Sequence, residues 1–194
     1  MREAISTIKE IAKRAGVSIG TVDRVLPLGN VPILNSAMAH GYSRGTWTAV
    51  EGAAIDSSTF APYCTCAQLT VPALTKWMFV FEEPDEPVIW LAKATPAAWL
   101  ENGQRISVKN APTRFGPVSF ELSSEIGRGL VKETISLPQD GSAATAKLRI
   151  RVPDNRKMKR VRVNGRTWKQ FDPALDVITL PPSLKGQVAL EVTY

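Results

Sequence analysis

The alternation of apolar and polar residues predicts two kinds of structure along this chain. Near the N-terminus, Ile8, Ile11, Ala12 and Ala15 recur at helical spacing and fall on one face of a helix. From Val88 onward the apolar period falls to two, which is typical of β-strands with one buried face. The pattern therefore predicts a short helical segment followed by a body built of strands.

The opening segment carries the residues that start and stop helices. Thr7 is placed to cap a first helix, and Glu10 three residues later completes a capping box. Gly16 suits the left-handed position that ends this helix, and Ser18 caps a second one. Two short helices joined by a tight turn are the helix-turn-helix arrangement. An ordinary helical hairpin is the alternative.

Nine residues of this segment match the pattern of one family of DNA-binding proteins. They are Ala12, Ala15, Gly16, Val17, Ser18, Thr21, Val22, Arg24 and Val25. By these positions, residues 7–26 resemble the N-terminal motif of the LacI/GalR family of transcription regulators. The resemblance implies a partner, duplex DNA read in the major groove, and six contact residues. Base edges would be contacted by Ile19 and Gly20, and phosphates by Thr7, Ser18 and Thr21. Arg24 would reach a base or the backbone further along the groove.

The residues after this motif depart from the family pattern. Asp23 stands where that family commonly has Ser, and residues 27–32 contain two prolines and a glycine that interrupt regular structure. Residues 33–42 have only degenerate helical spacing, and no hinge helix or effector domain is evident. The DNA-binding motif is therefore incomplete, and we expect weak DNA binding unless a dimer binds a two-fold symmetric site. A fusion near residues 26–32 is the other interpretation of this break.

The residue pattern of the remaining chain, which we call the body, predicts an antiparallel β-sandwich. A stretch at 69–81, interrupted by Pro72, predicts a short buried helix running into a strand, with Trp77 and Met78 in the core. Turn pairs, of which Asn164-Gly165 is the clearest and Asp140-Gly141 another, separate the strands that follow. Eight strands are predicted, at 88–94, 104–109, 118–123, 130–137, 146–152, 158–163, 177–180 and 187–193.

The predicted fold class is thus α+β, a short helix-turn-helix segment followed by an antiparallel β-sandwich. We divide the chain into an incomplete helix-turn-helix with its linker at 1–31, a connecting helical and irregular segment at 32–87, and the β-sandwich at 88–194. The composition, 44% hydrophobic and 22% charged over 194 residues, suits a globular chain with a real core.

A second resemblance rests on five strings of the body. They are RGTWTAVE at 44–51, PYC at 62–64, KWMFVFE at 76–82, WLAKATP at 90–96 and APTRFG at 111–116. By these strings, residues 41–194 resemble the C-terminal end of large bacterial proteins related to glycosidases with an (α/α) toroid. In those proteins the catalytic toroid precedes a closing β-sandwich. The resemblance implies that carbohydrate, or a missing catalytic domain, is the partner of this body.

We expect no independent catalysis and assign no catalytic residue. Glycoside hydrolysis needs two carboxyl groups across a sugar cleft. Glu51 beside Trp47 is the best candidate for one of them, and Asp56 or Glu82 for the other. Carboxylates next to turns are usually solvated, however, and the toroid that would form the cleft is missing from the pattern.

The residues give little support for nucleophilic catalysis, metal binding or a membrane location. The only histidine, His40, lies outside any nucleophile or base motif, and Cys64 and Cys66 form a lone C-x-C that we interpret as free thiols. We therefore predict no metal and no cofactor. No apolar run reaches the length of a membrane span and no secretory signal opens the chain, so we expect a cytoplasmic product.

Positive charge is concentrated in one window of the chain. Residues 144–170 hold ten basic residues against Asp154 alone, whereas the whole chain has a net charge of +6. The basic residues alternate with apolar ones, so each strand would show a cationic face that could bind phosphates or an acidic polysaccharide. The solvated outer face of a sandwich is the alternative, and Trp168 suits either stacking or core packing. The predicted polyanion surface comprises Lys147, Arg149, Arg151, Arg160 and Arg162.

Two functions follow from these patterns. The first is sequence-specific DNA binding of the LacI type through the N-terminal motif. The alternative is a non-catalytic β-sandwich module of a carbohydrate-active protein, with the helix-turn-helix as a fused remnant.

Overall fold

The computed structural model describes residues 65–139 and 144–194, and the chain divides into two units between Lys76 and Trp77. The predicted helix-turn-helix and the Asp140-Gly141 turn lie outside the described residues. Helix α1, Thr65–Phe79, contains Pro72. Within the described ranges no helix is long and apolar enough to cross a membrane.

The unit after Lys76 consists of two β-sheets. The described residues of this unit form eleven strands, β1 Val80–Glu82, β2 Val88–Leu91, β3 Arg105–Ala111, β4 Val118–Glu125, β5 Leu130–Leu137, β6 Thr145–Arg149, β7 Arg160–Val163, β8 Arg166–Trp168, β9 Phe171–Asp172, β10 Val177–Leu180 and β11 Gly186–Thr193. The five-stranded sheet has the order β1-β2-β6-β10-β9, and the six-stranded sheet has the order β3-β4-β5-β11-β7-β8. Three short 3-10 helices, Ala97–Leu100, Ile126–Arg128 and Pro153–Asn155, join strands.

Alternating side chains build one core between the two sheets. In β4 and β11 every second residue is buried, as the period of two requires when one face is covered. The five-stranded sheet contributes Ile89, Leu148 and Ile178 to the core cluster, and the six-stranded sheet contributes Leu122 and Leu190. The predicted β-sandwich is supported by this arrangement.

All eight predicted strands are present, six of them with shifted ends. Strand β1 corresponds to the strand predicted at the end of 69–81, and the described residues contain two further short strands, β8 and β9. The predicted strand 88–94 ends at Leu91 because Ala92 adopts a left-handed backbone with φ of 52°. The predicted strand 146–152 ends at Arg149, where its partner β10 begins, because Asp176, the residue before β10, adopts a left-handed backbone with φ of 58°. Local backbone geometry therefore set the ends that periodicity left open.

The sandwich is not wholly antiparallel, which corrects the predicted fold class. Strands β2 and β6 pair in parallel, with a register that runs from Val88 opposite Thr145 to Leu91 opposite Leu148. Three strands of the other sheet lie between them in sequence, so their connection is a crossover rather than a hairpin. The alternation of residues is the same in both kinds of pairing, so the pattern does not distinguish them.

The Asn164-Gly165 hairpin between β7 and β8 is confirmed. Both turn residues have positive φ, 48° and 76°, as a two-residue turn between right-twisted strands demands. The Asn164 side chain also accepts the backbone N–H of Ala189 at 2.8 Å. The turn thereby joins the hairpin to β11.

The stretch at 69–81 runs from helix into strand as predicted, but its burial differs. Met78 is buried, whereas Trp77 is 51% exposed and Leu69 is 59% exposed. Trp77 contacts the ring of Phe81 edge-on, with 6.1 Å between ring centroids, instead of entering the core. The prediction that Trp77 is a core residue was wrong, and Leu69 of the same helix is exposed as well.

Arg114, in the loop between β3 and β4, holds the acidic turn between β1 and β2. Its guanidinium donates to the carbonyl oxygens of Glu83, Pro84 and Glu86 at 2.5, 3.1 and 2.5 Å. Its backbone N–H donates to a carboxylate oxygen of Glu82 at 2.7 Å. One residue of the six-stranded sheet's loops thus fixes the edge of the five-stranded sheet.

Among the described residues one carboxyl group is buried in the core, that of Glu133. It faces inward from β5 between Leu122 and Leu190, is 2% exposed, and neither oxygen has a hydrogen-bond partner in the described part of the chain. Burial raises the pKa of Glu133 well above its usual range. The physical consequence is a carboxyl group that stays protonated far more readily than an exposed one.

Candidate functional site

The outer face of the five-stranded sheet brings an aromatic ring beside two basic residues. Trp90 on β2 lies in register with Lys147 on β6, and Arg149 follows two residues later on the same face. The Lys147 Nζ lies 5.2 Å from the centroid of the Trp90 ring. All three side chains are half-buried. We call Lys93, Lys147 and Arg149, with Phe81, Glu83 and Trp90, the cationic face.

Glu83 organises the remaining part of the cationic face. Its carboxylate accepts the indole N–H of Trp90 at 2.6 Å and the Lys93 ammonium at 3.1 Å. The Lys93 Nζ also lies 3.7 Å from the centroid of the Phe81 ring, a cation–π contact. The left-handed Ala92 turns the chain so that Lys93 reaches these partners. Four residues from β1, β2 and their flanks are therefore held in one arrangement.

The cationic face carries more positive than negative charge. Burial lowers the pKa of Lys93, Glu83 opposes this shift, and Lys147 and Arg149 lower the pKa further. Lys147 and Arg149 have no ion-pair partner among the described side chains. The Arg149 Nε is moreover buried without a hydrogen-bond acceptor in those residues. Three cations face one carboxylate here, and one N–H donor is unused.

The neighbouring carboxylates are engaged elsewhere. Asp176 pairs with Lys157 at 3.1 Å, and Asp172 accepts the backbone N–H groups of Ala174 and Leu175 at 2.8 and 3.2 Å. Neither therefore neutralises Lys147 or Arg149 through the contacts that the structure describes.

Arg151, predicted as part of the same surface, is held by the backbone. Its guanidinium donates to the carbonyl oxygen of Thr95 at 2.6 Å. Burial, followed by repulsion from Arg149, lowers the pKa of Arg151 to about 10, and Asp176 opposes the shift. Its position next to Thr95 makes it a structural contact at the end of β6.

Arg160 and Arg162 do not join the cationic face. They lie on β7, in the six-stranded sheet, and both point outward. Arg162 pairs with Glu191 on the adjacent strand β11 at 3.7 Å. Because the two sheets pack through their inner faces, their outer faces point in opposite directions. The predicted polyanion residues are thus divided between two surfaces rather than forming one strip.

A groove of about 320 Å³ lies between the 3-10 helix Ala97–Leu100 and the edge strand β3. Phe79 and Trp99 form its aromatic side, stacked with 5.9 Å between centroids and 23° between ring planes. Its polar side comes from β3 and the residue before it. The lining comprises Phe79, Ala98, Trp99, Gln104, Arg105, Ile106 and Ser107, which we call the aromatic groove.

A second groove of about 320 Å³ shares Ser107 with the aromatic groove and crosses the outer face of the six-stranded sheet. Its side chains carry hydroxyl, amide and charged groups from β3, β4, β5 and β11. The lining comprises Ser107, Val108, Lys109, Ser119, Phe120, Glu121, Thr134, Ser136 and Gln187, which we call the hydroxyl groove.

The structure shows the contacts of two further residues that the sequence singled out, Glu82 and Trp168, and other candidates lie outside the described residues. Glu82 accepts the N–H of Arg114, so its carboxylate supports a loop. Trp168 packs against the core and donates its indole N–H to the carbonyl oxygen of Thr179 at 3.1 Å, which favours the core-packing alternative. Outside the described residues lie Trp47, Glu51, Asp56, Cys64 and the six DNA-contact candidates Thr7, Ser18, Ile19, Gly20, Thr21 and Arg24.

Sequence reasoning did not single out Trp99, Glu83 or Lys93 as site residues. Trp99 lies three residues after Pro96 in a short segment, and a tryptophan at such a position between strands is a usable signal. The contact between Glu83 and Lys93 was not readable, because it depends on the left-handed turn at Ala92.

The chain is distantly similar to solved structures of known proteins. No family model matches the chain, and no curated protein matches it. A solved structure described as "Glycoside hydrolase" is similar with a TM-score of 0.42 and 13% sequence identity. That likeness covers 96% of this chain and 31% of the other, so this chain spans less than a third of that protein's length.

Proposed function

We propose that residues 77–194 form a non-catalytic β-sandwich module of a carbohydrate-active protein, and that the aromatic groove is its saccharide-binding surface. The observation that carries this proposal is the placement of Trp99 and Phe79 beside Gln104, Arg105 and Ser107 in one groove. A sugar ring has an apolar face that stacks on an aromatic ring and a rim of hydroxyl groups that takes hydrogen bonds.

The chemistry of the groove suits such a ligand. Arg105 contributes planar donors, and its ion pair in the described residues, with Glu121 at 3.3 Å, is exposed, so a ligand hydroxyl can compete for it. The shared Ser107 leads into the hydroxyl groove, whose Ser and Thr side chains are further donors and acceptors for a longer chain of sugars. The strings at 76–82, 90–96 and 111–116, which carry the resemblance to glycosidase-related proteins, flank this part of the sandwich.

Retention of the purified chain in gels that contain neutral polysaccharides tests the proposal. Trp99→Ala removes the stacking surface, and we expect a loss of about tenfold in affinity for the retained polymer. Trp168→Ala is the matched control, since it truncates another half-buried tryptophan that packs against the same core. We expect this control to retain the affinity of the parent chain.

Thermal melts of both variants separate loss of the groove from loss of folding. Equal affinity losses in the two variants, or retention of Trp99→Ala at the parent level, would remove the aromatic groove from the function. If no polysaccharide retains the parent chain, the carbohydrate assignment itself fails.

Sequence-specific DNA binding through residues 7–26 stays a second proposal, favoured by the motif in the sequence. Selection from a random pool of DNA duplexes with the full-length chain tests it. An enriched palindrome is expected if two copies bind together, and Arg24→Ala should then cost about 1–3 kcal/mol at the preferred site. Retention without sequence preference, or no retention, would count against a working regulator.

A further inference from the structure

The cationic face has the composition of an anion-binding site. Lys93, Lys147 and Arg149 come together on one side of the five-stranded sheet with Glu83 as the carboxylate that the structure places among them. Glu83 is already engaged by two donors, the Trp90 indole and the Lys93 ammonium. Lys147 and Arg149 are then the two cations of this group without a counter-charge in the described residues.

Arg149 supplies a second and independent indication. Its Nε is buried without an acceptor in the described part of the chain, although buried donors are nearly always satisfied. A guanidinium with an unused N–H beside a lysine is a suitable receptor for a carboxylate, which accepts from both groups at once.

We propose that the cationic face binds the carboxylate of an acidic saccharide, a uronate residue, with Lys147 and Arg149 as the carboxylate ligands and Trp90 as the surface for the sugar ring. Lys147 and Arg149 are two residues apart on one strand, and Trp90 lies in register with Lys147. The inference rests on the proposed carbohydrate function and names the class of saccharide.

The division of basic residues between the two sheets favours a compact acidic group over a nucleic acid backbone. A polyphosphate chain is bound by cations repeated along a track. The basic residues of β6 and β7 lie on opposite outer faces, and Arg162 is paired with Glu191. The cationic face is therefore a local cluster, with an aromatic ring that phosphate contact alone does not require.

Binding of polygalacturonate to the full-length chain, measured by titration calorimetry at about physiological salt, tests the proposal. We expect the double variant K147Q/R149Q to lose roughly tenfold in affinity. The double variant R160Q/R162Q is the matched control, because it removes the same charge from the opposite face. It should lose less than about twofold, since charge at that distance is largely screened.

A third variant and a competitor separate the two proposals. Trp99→Ala should lose affinity for neutral galactan. Its affinity for polygalacturonate should still fall when K147Q/R149Q is added. If the two double variants lose equal affinity for polygalacturonate, or if neither loses affinity, the proposal for the cationic face is wrong. The proposal for the aromatic groove is not affected by that result. A DNA duplex bound as tightly as polygalacturonate, with the same dependence on Lys147 and Arg149, overturns the saccharide assignment. If neither polysaccharide binds the parent chain, both proposals fail.

Discussion

The two sheets differ in where they hold a buried or half-buried charge that has no ion-pair partner in the described residues. In the six-stranded sheet the outer basic residues are exposed, and some of them are paired, as in Arg162 with Glu191 and Lys132 with Glu125, while Glu133 lies buried in the core without a partner in the described residues. In the five-stranded sheet the residues that face the core are apolar, and unpaired Lys147 and Arg149 lie outside. Both sheets are built from the same alternation of residues, so the alternation does not reveal where a charge is left without a partner.

The difference teaches that the two kinds of unpaired charge have different consequences. A carboxyl group buried among leucines is costly to ionise, so Glu133 acts on the stability of the fold. Half-buried cations on an outer face remain in contact with solvent and can take a ligand.

The largest expected effect is on the stability of the core. Because burial raises the pKa of Glu133, the folded chain holds this proton to higher pH than the unfolded chain does. The free energy of unfolding should therefore fall as pH rises above about 4.3, with a slope of up to about 1.4 kcal/mol per pH unit from this group. Glu133→Leu should remove this slope and raise stability at pH 7 by about 1–3 kcal/mol.

Urea unfolding between pH 4 and pH 8 measures this effect. Glu133→Gln serves as a second variant, because it removes the titration but keeps a buried polar group. Its stability should lose the same pH dependence without the full gain of the leucine variant. A parent chain whose stability rises over this pH range would contradict the assignment to Glu133.

A smaller effect is expected where the two sheets are joined by Arg114. Arg114→Ala removes the hydrogen bonds to three carbonyl oxygens of the turn between β1 and β2. We expect a loss of about 1–2 kcal/mol in the free energy of unfolding, since exposed hydrogen bonds contribute little each. Arg114→Lys should recover only part of this loss, because an ammonium cannot match the planar guanidinium. Full recovery by lysine would show that charge alone is sufficient.

Amide hydrogen exchange locates the same effect. In Arg114→Ala, exchange of the β1 and β2 amides should accelerate more than exchange of the β4 and β5 amides. The reason is that the hydrogen bonds of Arg114 act on the edge of the five-stranded sheet. Uniform acceleration over both sheets would contradict a local role.

The smallest expected effect is on thermal stability, when outer charges are removed from one sheet or the other. K147Q/R149Q should raise the thermal midpoint slightly, because it removes repulsion among Lys93, Lys147 and Arg149. Arg162→Gln should lower stability by no more than about 1 kcal/mol, since its pair with Glu191 is exposed on both sides. Added salt should bring each variant closer to the parent chain. Shifts of the same sign in both variants would remove the distinction drawn between the two faces.

The sequence by itself determined the strands and one hairpin of this protein. The period of two located β4, β5, β10 and β11 because half-buried strands leave a strong local pattern. The pair Asn164-Gly165 identified its turn because both residues tolerate positive φ. These features depend on neighbours in sequence and are therefore visible in it.

Only the tertiary structure decided which strands share a sheet and which charges meet. The parallel pairing of β2 with β6 brings Trp90 beside Lys147, and the separation of β6 from β7 divides the basic residues between two faces. The exposure of Trp77, the burial of Glu133 and the pairing of Trp99 with Phe79 likewise depend on contacts between distant residues. The physical reason is that alternation states which residues share a face of one strand, whereas sheet order and packing decide what that face meets.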